Sequence, residues 1–106
     1  MNSDEEYLKL LRKINKDPEI SQRNLSNELN MSLGKINYCL KALKSKGFIK
    51  IKNFKKSKQK IQYLYYLTPK GFVEKTNITI KFMKLKMKEY DELKNELNKS
   101  KLKSGK

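Results

Sequence analysis

The chain has 106 residues, 37% apolar and 35% charged, with a formal net charge of +15. That suffices for one domain with a modest core plus an appended helix, and is too apolar for disorder. With no histidine, one cysteine (Cys39) and four scattered glycines, it has no intrachain disulfide, no glycine-rich phosphate loop and neither the commonest general base nor the commonest metal ligand, so catalysis, a metal and a cofactor are not expected.

The first helix is expected from about Asp4 to Lys16. Ser3 and Glu6 have capping-box spacing, and Tyr7, Leu10, Leu11 and Ile14 form an apolar stripe. "NKDPE" stops it at Pro18. The next three helix starts share one design: a hydroxyl residue at the N-cap, an apolar residue before it and another at N4. Ile20-Ser21-Leu25, Met31-Ser32-Ile36 and Leu67-Thr68-Phe72 all fit this hydrophobic staple, and the third adds Pro69 at N1. A short second helix, about Gln22 to Asn30, is therefore followed almost at once by a third, Leu33 to Lys46, with Gly47 at C′. Two helices joined so tightly cross at a large angle, which is helix-turn-helix geometry.

"FIKIKNF" then alternates as a half-buried strand does, and "IQYLYYL" reads as its partner, with "KKSKQK" as a lysine-dense loop between them. The hairpin makes a wing, and Tyr63, Tyr65 and Tyr66 are expected in the core and strand pairing. A long helix starts at Pro69. The β-branched "TNITI" threatens a break there, while Ile80, Met83, Met87, Tyr90, Leu93 or Lys94, and Leu97 are spaced like a coiled-coil seam. The fold class expected is mainly α with a small β-hairpin wing: a winged helix-turn-helix over residues 1–71, a dimerisation helix over 72–98 and a frayed basic tail over 99–106.

Charge is segregated along this frame. Residues 29–73 hold eleven lysines and no acid, while residues 4–28 hold six of the eleven acids. Biased codon usage explains many lysines but not an acid-free block, which is the footprint of a polyanion partner. On the third helix Ile36, Cys39, Leu40 and Leu43 share one side, and Gly34, Asn37, Tyr38, Lys41 and Ser45 point the opposite way. Cys39 thus reads as a small core residue. The opposite face is either merely solvated or suited to a DNA groove. Gly34 permits close approach, Asn37 can pair with adenine, Tyr38 brings a hydroxyl and a ring, Lys35 and Lys41 reach phosphate or guanine, and Ser32 marks the anion-favouring N-terminus. Gln22 and Arg23 begin the second helix where phosphate contacts are common. Lys55, Lys56, Lys58 and Lys60 offer the wing to the backbone or minor groove. Ordinary solvated polarity is the bland alternative for each.

The run "ISQRNLSNELNMSLGKINYCLKALKSKGFIK", with the wing and "LTPKG", resembles the winged-helix core of MarR-type bacterial transcription regulators. "LTPKGFVEKTNITIKFMKLKMKEYDELKNEL" is similar to their short EPS-associated subgroup. The resemblance spans about residues 5–97. It implies a homodimer on pseudo-palindromic duplex DNA, helix three in the major groove through Ser32, Gly34, Lys35, Asn37, Tyr38 and Lys41, and the wing, residues 55–60, alongside. The wing departs from the pattern: it lacks the acid and arginine usual at the tip, so lysine–phosphate contact is expected in place of arginine insertion. The chain is also shorter than full-length relatives and lacks much of the helical layer that forms their ligand cleft, so no small-molecule effector is indicated. Dimerisation falls to Ile80, Met83, Met87, Tyr90, Leu93 and Leu97. No apolar run approaches the ~18 residues of a membrane span and the start "MNSDEEY" is not signal-like, so no membrane partner and a cytoplasmic place are expected. Two rival readings stay open: a sequence-indifferent basic nucleic-acid module, favoured slightly by lysine over arginine, and a protein-interaction adaptor acting through the C-terminal helix.

Overall fold

Helix α1 (Ser3–Lys16) lays Leu10, Leu11 and Ile14, all fully buried, onto α2 (Gln22–Leu29) and α3 (Leu33–Ser45). The computed structural model of the protein describes residues 3–104, and for residues 3, 54 and 102–104 the backbone alone. After α3 come β1 (Ile49–Ser57), β2 (Lys60–Leu67) and the 36-residue α4 (Pro69–Ser104). Leu25, Ile36, Cys39, Leu40, Leu43, Ile49 and Tyr65 complete one core under the helix-turn-helix.

The three staple sites cap as their sequences predict. Ser21 Oγ accepts from the Asn24 N–H at 3.0 Å, Ser32 Oγ from Lys35 N–H at 3.1 Å and Thr68 Oγ1 from Gly71 N–H at 2.9 Å. Each satisfies one of the orphan donors at a helix start. Helix α2 ends on Asn30 in the left-handed region (φ 56°). Helix α3 ends in a full Schellman motif: Gly47 (φ 79°) and Phe48 donate to the carbonyls of Lys44 and Leu43. Thr68 also closes this corner. Its hydroxyl donates to the Gly47 carbonyl at 2.6 Å and its N–H to the Phe48 carbonyl at 3.0 Å, which pins the start of α4 to the end of α3. Gly71 sits so close that a Cβ there would lie 1.9 Å from the Phe48 oxygen.

The two strands pair antiparallel from Ile49↔Leu67 outward to Ser57↔Lys60. The expected six-residue loop "KKSKQK" is thus mostly strand, with only Lys58 and Gln59 turning. Pairing continues because each added rung satisfies backbone groups. Neither turn residue has positive φ, so the turn is not one of the primed types that match strand twist, and the unpaired Lys56 forms a bulge beside it. Of the three tyrosines expected inside, only Tyr65 is buried; Tyr63 is 46% and Tyr66 38% exposed. Tyr63 lines an open cleft between the wing and the start of α2, and Tyr66 is on the opposite face, where the Lys52 ammonium sits 5.8 Å from its ring centre.

Helix α4 runs unbroken through "TNITI", because Ile78 buries against the body (4% exposed) and Thr79 Oγ1 donates to the Lys75 carbonyl. Tertiary packing overrides the weak local propensity. Lys81 reaches Asp4 of α1 at 2.8 Å. Where fraying is expected from residue 99, the helix continues to Ser104; residues 105–106 lie outside the described residues. Among the described residues no helix is long and apolar enough to cross a membrane, and no three His, Cys, Asp or Glu side chains converge as a metal site would need.

Candidate nucleic-acid interface

The amphipathic split of α3 places its two faces as the sequence spacing predicts. Ile36, Cys39, Leu40 and Leu43 are buried. Ser32, Gly34, Tyr38 and Lys41 are exposed, Tyr38 by 70%, and Asn37 is half-buried. A Cβ on Gly34 would meet nothing within 4 Å. The glycine therefore serves no packing need inside the chain and leaves a smooth patch near the helix N-terminus.

Three elements meet through side-chain amides. Asn37 Nδ2 donates to Gln22 Oε1 and Gln22 Nε2 donates to the Tyr65 hydroxyl, each over 3.4 Å. Both contacts are long, so these amides are loosely held and exchangeable for an outside partner. Tyr65 is itself fixed, with its ring buried and its N–H bonded to the Pro18 carbonyl at 2.9 Å. From Gln22 a cleft of about 410 Å³ runs to the wing, lined by Ser21, Asn24, Lys56, Lys60, Gln62 and Tyr63 among others. The exposed face of α3, the start of α2 and the wing lysines are thus continuous. Arg23 is exposed beside Gln22, and Lys55 and Lys58 are exposed at the wing end.

Two features escape the sequence pattern. Lys35, assigned above to phosphate or guanine, extends along α3 toward α1, and its Nζ lies 3.1 Å from Glu6 Oε2. Glu6 is 6% exposed; the Ser3 hydroxyl that would complete its capping box lies outside the described side chains. The hydrogen bond and the charge of Glu6 push the Lys35 ammonium's pKa above the usual lysine value. The second feature is Glu19. It precedes the acid-free block, yet folding brings it into the cleft beside Lys56 and Lys60, where it accepts from Gln62 Nε2 at 3.0 Å. Gln62 Oε1 is left buried without a partner among the described residues. A carboxylate in line with the buried Leu10, one turn before it, was the available signal for Glu6; for Glu19 none existed, because its neighbours come from the far end of the hairpin.

A protein-family model described as "Winged helix-turn-helix DNA-binding" matches residues 8–50. No curated protein matches the chain by sequence. Among solved structures, FabT of Streptococcus pneumoniae in complex with DNA superposes with a TM-score of 0.59 at 22% identity, over 82% of this chain and 59% of FabT. A Staphylococcus aureus MepR variant bound to an oligodeoxyribonucleotide gives 0.64 at 19% identity, over 97% and 75%. S. aureus MarR in complex with salicylate and kanamycin gives 0.57 at 22%, over 92% and 73%. The chain thus spans about three-fifths of FabT's length. Residues 8–50, from α1 to the start of the wing, are what is similar to that family model. The chain as a whole has the fold of the MarR-type regulators.

Proposed function

We propose that this chain is a sequence-specific, double-stranded-DNA-binding transcription regulator and not an enzyme. Helix α3 enters the major groove, the wing lies on the flanking backbone, and α4 pairs two copies on a pseudo-palindromic site. The observation that carries this reading is the continuous surface from Gly34, Asn37 and Tyr38 through Gln22 to Lys56 and Lys60. It combines amide and phenol groups able to read base edges with lysines able to hold phosphate. Arg23, Lys41, Lys55 and Lys58 widen the phosphate-contacting rim, and Ser32 presents the N-terminus of α3 to an anion. Lys35 belongs to this set only if the DNA draws it from Glu6. The six seam residues of α4 from Ile80 to Leu97 are 46–65% exposed, which suits a helix awaiting a partner.

Selection of bound duplexes from a random pool at ~150 mM salt, with Asn37→Ala and Tyr38→Ala alongside, tests it. An enriched inverted repeat that either variant relaxes supports base reading. Binding without enrichment, lost uniformly as salt rises, would mean a charge-driven module. No binding at all would point to an adaptor.

A further inference from the structure

The exposed seam of α4 has a direction as well as a surface. Taking Ile80 as the first seam position, seven-residue periodicity puts Ile80, Met87, Lys94 and Lys101 on one row and Met83, Tyr90 and Leu97 on the other. Helix α1 borders this face without covering it: Leu8, Lys9 and Arg12 share a cleft with Thr79, Phe82, Lys86 and, of the seam, Met83, while Ile80, Met83, Met87 and Tyr90 all stay at least 46% exposed. We infer that the occupant of this seam is a second copy of α4 lying antiparallel, with the two-fold axis between Lys88 and Glu89.

Charge decides the direction. Residues 81–88 contain four lysines (Lys81, Lys84, Lys86, Lys88) and no acid. Residues 89–96 contain four acids (Glu89, Asp91, Glu92, Glu96) and one lysine, Lys94. A parallel pair would lay each block on its own copy, and would also set Lys94 against Lys94 and Lys101 against Lys101 in the seam. The antiparallel pair lays the lysine block against the acidic block twice over. It places Ile80 against the partner's Leu97 and Met87 against the partner's Tyr90. Lys94 then meets the partner's Met83, along which its stem can lie with the ammonium outside. Lys84 faces the partner's Asp91. Lys81 is already bridged to Asp4 of its own chain, which leaves Lys84, Lys86 and Lys88 for the partner.

Apolar pairing alone would not choose this register. Shifting the axis to Leu85 pairs Ile80 with the partner's Tyr90 and Met83 with the partner's Met87, but sets lysine block against lysine block. Like charges facing one another cost several-fold in affinity and correct the register. The chosen axis also spaces the DNA-binding bodies. Ile78, where α4 is buried against its own body, lies ~32 Å along the axis from its copy at 1.5 Å per residue. That is close to the ~34 Å between half-sites one helical turn apart. A parallel pair would put both bodies at one end.

This inference rests on α4 being a self-association helix, and the test separates the two. Full-length Ile80→Cys and Leu97→Cys chains, with the buried Cys39 left in place, are oxidised singly and as a mixture. The antiparallel arrangement gives a disulfide-linked species of the mixture only. Efficient cross-linking of Ile80→Cys with itself overturns the direction and leaves the dimer standing. A second measurement needs no variant. The wild-type dimer should weaken several-fold in sedimentation equilibrium as salt rises from ~0.05 to ~0.5 M, because complementary blocks are screened. A dimer that tightens with salt overturns the antiparallel arrangement, and a monomer throughout overturns both readings.

Discussion

The ammonium of Lys35 and the carboxylate of Glu6 are 3.1 Å apart, and this pair ties the N-terminal turn of α3 to α1. Glu6 is 6% exposed while the Lys35 side chain is 42% exposed. The acid therefore depends on the lysine more than the reverse. Removing Lys35 strands a buried charge, whereas removing both groups together need not cost stability. Thermal melts should show Lys35→Met well below wild type, Lys41→Met close to it, and Glu6→Leu with Lys35→Met recovering most of the loss. Equal melting points for the two single lysine variants would refute the coupling.

Two glycines of this chain should respond in opposite ways to alanine. Gly71→Ala drives a Cβ into the Phe48 carbonyl, 1.9 Å away, and should destabilise by ~1–3 kcal/mol, the cost of overpacking a tight contact. Gly34→Ala meets open space on a helix and should stabilise by up to ~1 kcal/mol through helix propensity. If α3 lies in a groove, the same Gly34→Ala change should weaken duplex binding although the protein is more stable. Urea midpoints and a binding titration on the same preparations check both halves.

The cleft between α2 and the wing carries opposing charges. Lys56 and Lys60 should each hold one phosphate, so alanine at either lowers the salt slope of binding by ~0.9. Glu19 lies in the same cleft and should repel the same phosphates. Glu19→Gln keeps an acceptor for Gln62 and should tighten binding several-fold at low salt, with little change in the preferred site. A weaker Glu19→Gln complex would show that Glu19 shapes the cleft more than it repels DNA.

Burial beneath α3 pushes the Cys39 thiol above its ordinary pKa; the negative Glu6 adds to this and Lys35 opposes it. A raised thiol pKa means less thiolate at neutral pH. Cys39 should therefore react with a disulfide reagent far more slowly in the folded chain than in urea. Fast labelling of the native protein would contradict the burial.

Much of this was legible in the chain because it is local. The Ser21, Ser32 and Thr68 caps, the reversal at Gly47 and the two faces of α3 each follow from residues within one or two turns. The wing was legible in kind but not in extent. Nothing in "KKSKQK" announces that pairing persists to Ser57 and Lys60, since that is set by the rungs before it. Tyr63 and Tyr66 misled because β-propensity says that a residue joins a strand, not which face finds a helix to cover it. The Glu6–Lys35 and Glu19–Lys60 relationships join residues 29 and 41 positions apart, and only the assembled fold could bring them together.

The corner where Thr68 grips Gly47 and Phe48 has a mechanical consequence. Helix α4 is ~54 Å long at 1.5 Å per residue, and it starts at the point where α3 ends. A 5° swing about that corner displaces the far tip of α4 by ~5 Å over such a length. Leverage also runs the other way. Whatever grips α4 near its tip has a long moment arm over the tilt of α3, so a weak grip applied far from any duplex can still set the angle at which the polar face meets one.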